Sequence, residues 1–201
     1  MAPHSFFLCT LLTFSLSFHG ISSAVNYIVT NEFDLSERFP KDIGIPYTKE
    51  VMGKSNNFLW STIFKQNTPA DRKPVDSVHV IIKRATTPTP EVVTSKNQIT
   101  FNSYILDSVI PTRAFLKWTF TSLLYHEMAH VFQWNGEGKC LEALVEGIAD
   151  YAMLKANYSP ENFAKPGWGK NGTRLRTMIS QPVFSSTVRG SSQGLWQSLT
   201  I

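Results

Sequence analysis

The sequence predicts a single globular domain that combines β-strands with α-helices. Short extended runs lie in the first half of the chain, whereas apolar residues recur every three or four positions in the second half. The composition agrees, because 42% of the 201 residues are hydrophobic and 17% are charged. These values exclude a collagen, a coiled coil and a disordered chain. A chain of this length can form one core without a disulfide.

Three extended runs predict strands in the first half. Residues 27–30 form a short run, residues 77–82 give the strongest strand pattern, and residues 98–101 form a further extended stretch. His79 lies inside the strongest run. No second candidate ligand lies near it in sequence, so we expect a packed or hydrogen-bonded residue of the sheet.

Three helices are predicted in addition to the strands. The first lies within residues 49–66 and is closed by Pro69. The second begins at Arg113 and is broken by Gly136 and Gly138. Its apolar positions are Leu116, Phe120, Leu123, Leu124, Val131 and Trp134. The predicted apolar face of the third helix consists of Leu141, Leu144, Val145, Ile148 and Ala152.

Residues 1–24 have the features of an export signal. Residues 6–18 are hydrophobic and uncharged but too few to cross a membrane as a helix, and Ser22 and Ala24 suit a signal peptidase. A buried N-terminal core helix is the alternative, but no polar face recurs at helical spacing. We therefore expect a secreted protein with no membrane partner. Cleavage would remove Cys9 and leave Cys140 without a disulfide partner.

The charge of the chain is mildly basic. Nineteen Lys and Arg residues against 15 Asp and Glu give a formal net charge of +4 and a pI near 9.1. The positive residues are scattered and do not alternate with aromatic residues, so no nucleic-acid partner is expected. Asn171 precedes Gly and Thr and is a predicted glycosylation acceptor in a secreted chain. We expect a monomer.

The clearest chemical motif lies in the second predicted helix. His126 and His130 are one helical turn apart, so both imidazoles can reach one metal ion from the same face. Glu127 is offset around the helix and can accept a proton from a metal-bound water. Zinc suits this combination of ligands and base. The alternative is a pair of surface histidines that bind no metal ion.

The third predicted helix supplies a third ligand. Glu146 would complete a His/His/Glu set, and Asp150, one turn later, would accept the free ring N–H of a ligand histidine. A solvated acidic face is the alternative, although Glu146 has apolar neighbours in which an unpaired carboxylate is costly. Glu137 and Glu142 are rival ligands. Cys140 is a further candidate, but we expect it to be a free, partly buried thiol.

Several of these stretches resemble the plant basic secretory protein family. They are residues 124–136 (LYHEMAHVFQWNG), 144–151 (LVEGIADY), 154–160 (LKANYSP), 25–31 (VNYIVTN) and 67–73 (NTPADRK). The family is grouped with gluzincin-type zinc metallopeptidases that are associated with plant defence and the extracellular space, including apoplast and cell wall. The resemblance implies a zincin-like α+β fold with a small mixed sheet, an HExxH helix and a second, Glu-bearing helix. It also implies zinc binding by His126, His130 and Glu146, and Glu127 as catalytic acid/base.

The resemblance covers residues 25–169, which we predict to be the zincin-like metallopeptidase domain. We expect residues 170–201 to form a divergent tail, which predicts a C-terminal part that is truncated or aberrant relative to the family. Peptide hydrolysis also needs a donor to the developing oxyanion, and Tyr151 and Tyr158 are the remaining candidates.

Two functions are compatible with this sequence. The first is a secreted zinc peptidase that acts on peptide or protein substrates, with an extended substrate lying along an edge strand near residues 99–101. The second is a non-catalytic extracellular protein that binds zinc, or only a partner, after losing activity with its C-terminal part.

Overall fold

The computed structural model describes residues 24–32, 37–86, 91–107 and 112–160. The predicted export signal, except for Ala24, and the predicted tail with Asn171 lie outside these residues. The described chain has a mixed α+β architecture. In chain order its elements are β1 (Asn26–Asn31), α1 (Gly44–Phe58), β2 (Ser77–Lys83), β3 (Val92–Ser95), β4 (Gln98–Asn102), α2 (Ser103–Asp107), α3 (Arg113–Phe132) and α4 (Glu142–Lys155).

The four described strands form one mixed sheet in the order β1-β2-β4-β3. β1 and β4 run parallel to β2, and β3 runs antiparallel to β4. The three predicted strands are confirmed, but β3 was not predicted. The expected edge strand near residues 99–101 is therefore wrong. Ile99 and Phe101 are fully buried in β4, because β3 folds back beside β4 and becomes the edge itself.

One face of the sheet carries the core and packs against α1 and α3. The side chains of Val78, Val80 and Ile82 alternate towards this face and are fully buried. Phe101 of β4 stacks on Phe120 of α3 with 4.6 Å between ring centroids. Each such side chain contributes about 1.5–3 kcal/mol through burial. This packing fixes α3 against the sheet.

His79 lies on the opposite face of the sheet. Its Nε2 is 2.8 Å from Thr30 Oγ1 on the neighbouring strand. The expectation of a hydrogen-bonded sheet residue is therefore confirmed.

The helix predicted within residues 49–66 begins earlier than expected. α1 starts at Gly44 and continues after Phe58 into a π-helical turn, Leu59–Ile63. Pro46 lies in its first turn, where a missing backbone N–H breaks no helical hydrogen bond. No helix in the described part of the chain combines the length and the apolar character needed to span a bilayer.

α3 is the central helix and is buried on most of its surface. It begins after Thr112, whose Oγ1 accepts the N–H of Phe115 at 3.2 Å. This contact is an N-cap, which satisfies one of the free donors of the first turn. The helix ends at Phe132, so that Trp134 lies beyond it and is 60% exposed.

The turn after α3 contains the two predicted helix-breaking glycines. Gly136 and Gly138 have φ values of 59° and 80°, in the left-handed region that favours glycine. A Cβ on Gly136 would lie 3.2 Å from Cys140 Sγ. This reversal brings α4 back along α3.

The predicted apolar face of α4 is wrong in part. Leu141 and Leu144 are 77% and 56% exposed, whereas Ala149, Ala152 and Met153 are buried against α3. The small alanine side chains allow close approach of the two helices. The buried side of α4 also carries Glu146 and Asp150, and Leu144 lies about 200° around the helix from Glu146.

Candidate metal centre

The two histidines of the motif meet near the C-terminal end of α3. His126 and His130 are separated by one turn, and their Nε2 atoms are 2.9 Å apart. His126 is 5% exposed and His130 is partly buried. Their buried positions exclude the alternative of two surface histidines.

Glu146 enters the same space from α4. Its Oε2 lies 3.3 Å from His126 Nε2, and its Oε1 lies 3.6 Å from His130 Nε2. The three residues each offer one ligand atom within 4.8 Å of the others. A four-coordinate zinc site with bonds of about 2.0–2.2 Å separates its ligand atoms by about 3.3–3.5 Å. The measured separations lie around this value, so these residues could hold a metal ion.

The rival ligands lie outside this group. Glu137 pairs with Lys139 at 3.6 Å on the turn and is exposed, and Glu142 is exposed at the start of α4. Cys140 is an exposed free thiol, so the expectation of partial burial was wrong. It is exposed because the glycine turn lies at the surface.

The electrostatics of the group depend on a third carboxylate, Asp150. Its Oδ1 is 3.1 Å from His126 Nδ1, and both side chains are buried. The two atoms are at ion-pair distance but are not aligned as a hydrogen bond. Burial lowers the pKa of His126, but the contacts with Asp150 and Glu146 and the charge of Glu127 raise it overall to about 10. The contacts of His126 with Asp150 and Glu146 therefore favour the positively charged form of its imidazole.

The pKa of Glu146 is shifted in the opposite direction to that of His126. Contacts with His126 and His130 hold the pKa of the Glu146 carboxyl far below its usual range, against the effect of partial burial. The carboxylate is therefore ionised at neutral pH. The carboxyl groups of Glu146 and Asp150 lie on either side of His126, an arrangement that favours a cation near them.

Glu127 lies beside this group and contacts a different element. The Thr94 hydroxyl donates to Glu127 Oε2 at 2.6 Å, and the same hydroxyl is 3.3 Å from the main-chain oxygen of Glu127. Thr94 lies on the edge strand β3. Sequence reasoning missed it because β3 was not predicted. The available signal was the run Val92–Ser95, which is rich in β-branched residues.

A second contact was also missed. The Gln133 side chain lies 2.8 Å from His130 Nδ1 and is buried. The sequence signal for this contact was the spacing of Gln133 from His130, because a residue three positions later reaches the same side of a helix. The two candidate ligand histidines therefore have different outer partners, Asp150 for His126 and Gln133 for His130.

The two candidate oxyanion donors have other contacts. Tyr158 packs on Tyr125 with 5.0 Å between ring centroids, and its carbonyl accepts the Ser122 hydroxyl at 2.7 Å. Tyr151 is 46% exposed, with Lys155 Nζ 5.5 Å from its ring centroid. None of these contacts involves the three candidate ligands. A role of either tyrosine as oxyanion donor stays a prediction.

The chain was compared with known families, proteins and structures. Residues 22–177 match the family model BSP, described as a peptidase of plants and bacteria. The match includes the three candidate ligands, Glu127 and Asp150. Searches of curated proteins and of solved structures found no significant match. The resemblance to the basic secretory proteins is thereby confirmed, and the chain belongs to the BSP family of peptidases of plants and bacteria.

Proposed function

We propose that this chain is a zinc-dependent endopeptidase with a zincin-like fold. The observation that carries the proposal is the convergence of His126, His130 and Glu146 on one space. Glu127 lies next to this group, and its carboxylate accepts a hydrogen bond from Thr94 on another element. Three protein ligands with a neighbouring carboxylate are typical of catalytic zinc sites. Membership of a peptidase family supports the reaction.

A bound zinc ion would polarise the scissile carbonyl and increase the acidity of water at the site. The chain itself would supply the proton transfers. Glu127 would accept a proton from the attacking water and pass it to the leaving amine. The Thr94 hydroxyl, which donates to Oε2, would restrict the carboxylate to one orientation.

The edge strand β3 is the proposed binding site for an extended substrate. The N–H of Asn102 donates to Glu91 O at 3.0 Å, so these residues form a hydrogen-bonded pair. Hydrogen-bonded pairs alternate with non-hydrogen-bonded pairs along an antiparallel ladder. Val92 and Thr94 fall in the non-hydrogen-bonded pairs, so their backbone N–H and C=O groups point away from β4. A peptide could therefore add to this edge as a strand. The backbone of Thr94 would then contact the substrate, while its side chain contacts Glu127.

The test is the substitution Glu127→Gln in the full chain. We expect peptidase activity on an unfolded protein substrate to fall by about 10²–10⁴, while one zinc ion stays bound and the unfolding temperature is unchanged. A chelator should abolish wild-type activity. Glu137→Gln, on the exposed turn, is the matched control and should keep full activity.

Two outcomes would contradict the proposal. Activity that survives Glu127→Gln would remove the assigned proton acceptor. A wild-type chain that binds zinc but cleaves no peptide would instead support the non-catalytic extracellular alternative. A metal analysis run beside the activity assay separates these two results.

We further propose that the protein is secreted into the apoplast or cell wall and acts there as a monomer in plant defence. The sequence of residues 1–24 supports secretion, and the resemblance to the basic secretory proteins suggests the role in defence. N-terminal sequencing of protein recovered from the medium should begin at Val25. Retention of residues 1–24, or of the protein inside the cell, would contradict secretion.

A further inference from the structure

The imidazole of His130 contacts a buried amide on the side away from the candidate ligand group. Gln133 is 3% exposed, and its Nε2 lies 2.8 Å from His130 Nδ1. Gln133 is the first residue after α3. Its N–H still donates to Ala129 O at 2.8 Å, but its ψ of 145° turns the chain out of the helix. Its side chain therefore folds back over the last turn.

The chemistry of histidine decides which amide atom suits this contact. A neutral histidine that binds a metal through Nε2 carries its proton on Nδ1. A buried Nδ1–H needs an acceptor, since an unsatisfied donor costs free energy. The amide oxygen of Gln133 can accept a hydrogen bond from this N–H, whereas its amide nitrogen cannot.

A half-turn of the Gln133 amide exchanges its nitrogen and oxygen. Among the described residues, Gln133 Oε1 is buried without a hydrogen-bond partner. The half-turn therefore breaks no bond made by the oxygen. It gives that oxygen the Nδ1–H of His130 as its donor.

We propose that Gln133 is the positioning residue of His130. Its Oε1 accepts the Nδ1–H, fixes the tautomer and the ring orientation, and leaves Nε2 free for the metal. The inference rests on the proposed metal site and deepens it by assigning the outer partner of the second histidine. Gln133 does this with a neutral amide, whereas Asp150 contacts His126 with a carboxylate.

The test measures zinc affinity by competition with a chromophoric chelator, using the full chain. Loss of an outer partner typically weakens metal binding by about 10–100-fold. Gln133→Met keeps the side-chain length but removes the acceptor, and should show this loss. Gln133→Glu restores an acceptor and should bind zinc within about threefold of wild type or more tightly. The matched control is Gln98→Met, on the sheet face that bears His79, which should leave zinc affinity unchanged.

A second measurement needs no variant. In the zinc-bound wild type, long-range proton–nitrogen NMR correlations should show a proton on His130 Nδ1 that exchanges slowly with solvent. An unprotonated Nδ1 would overturn the inference. This readout holds even where Gln133→Met does not fold.

The remaining outcomes separate the inference from the proposed function. Unchanged zinc affinity of Gln133→Met, or an equal loss in Gln133→Glu, would overturn the inference and leave a zinc peptidase intact. A wild-type chain that binds no zinc would overturn both. A loss in Gln133→Met that Gln133→Glu reverses supports the assignment, because a purely structural defect would not follow acceptor chemistry.

Discussion

Two glutamates of the site differ because their neighbours differ. Glu146 contacts both histidines, and those contacts keep its carboxylate ionised, as a metal ligand would need to be. Glu127 instead receives a hydroxyl from β3. The same residue type is thus prepared for two roles by the elements that pack against it. The role of Thr94 can be measured separately from metal binding.

Replacing Thr94 with Val removes the hydroxyl while keeping the shape of the side chain. A hydrogen bond to a charged group contributes about 1.5–3 kcal/mol, so we expect kcat on a peptide substrate to fall by about 10–100-fold. KM and zinc affinity should change little, because neither the edge backbone nor the ligands are altered. Thr94→Ser should restore most of kcat. Weaker zinc binding in Thr94→Val would show that Thr94 supports the metal site rather than Glu127.

At the scale of elements, both ends of α3 are anchored by side chains. Thr112 caps its start, and the Lys73 ammonium donates to Val131 O at 2.8 Å near its end. A cation is favoured there by the helix dipole. Burial lowers the pKa of Lys73, since the charged form is partly removed from water. The segment 67–73, part of the family resemblance, therefore holds the end of α3 that carries His130.

Replacing Lys73 with Met removes this anchor while keeping the apolar stem. We expect the free energy of unfolding in urea to fall by about 1 kcal/mol, from the lost hydrogen bond and dipole interaction. Lys49→Met, on the exposed side of α1, is the control and should change it by less than about 0.5 kcal/mol. An equal effect of the two substitutions would rule out a specific role of Lys73 at the end of α3.

The helices show what sequence spacing can and cannot predict. His126 and His130 were predictable because residues one turn apart share a helix face whatever surrounds them. β3 was missed because a four-residue strand depends on pairing with β4, and its short run of β-branched residues is a weak signal alone. The buried side of α4 was missed for a related reason. Contact with α3 selects Ala149 and Ala152, although Leu144 is more hydrophobic.

At the scale of the whole molecule, the site is assembled from three separate elements. β3 brings Thr94, α3 brings the two histidines and Glu127, and α4 brings Glu146. None of these segments forms the site alone. Metal binding should therefore be linked to global stability, because a ligand that binds only the folded chain stabilises it.

This linkage predicts opposite pH dependences for the stability of the metal-free chain and for its zinc affinity. The pKa of His126 rises from 6.5 to about 10 on folding, so its contribution to the free energy of unfolding is complete below pH 6.5 and is lost as pH approaches 10. The lowered pKa of Glu146 adds stability above pH 4.5 that is lost in acid. A zinc ion bound at the proposed site would have to displace the proton of His126. Its apparent affinity should therefore rise about tenfold per pH unit between pH 7 and 9.

The measurement is thermal unfolding at pH 7 and pH 9, with the metal removed and with saturating zinc. Between these pH values the unfolding temperature of the metal-free chain should fall, while the stabilisation by zinc should grow. Asp150→Asn removes a charge that raises the pKa of His126, so it should reduce both pH dependences. A zinc affinity that is flat with pH, or a metal-free chain more stable at pH 9, would show that His126 holds no displaceable proton.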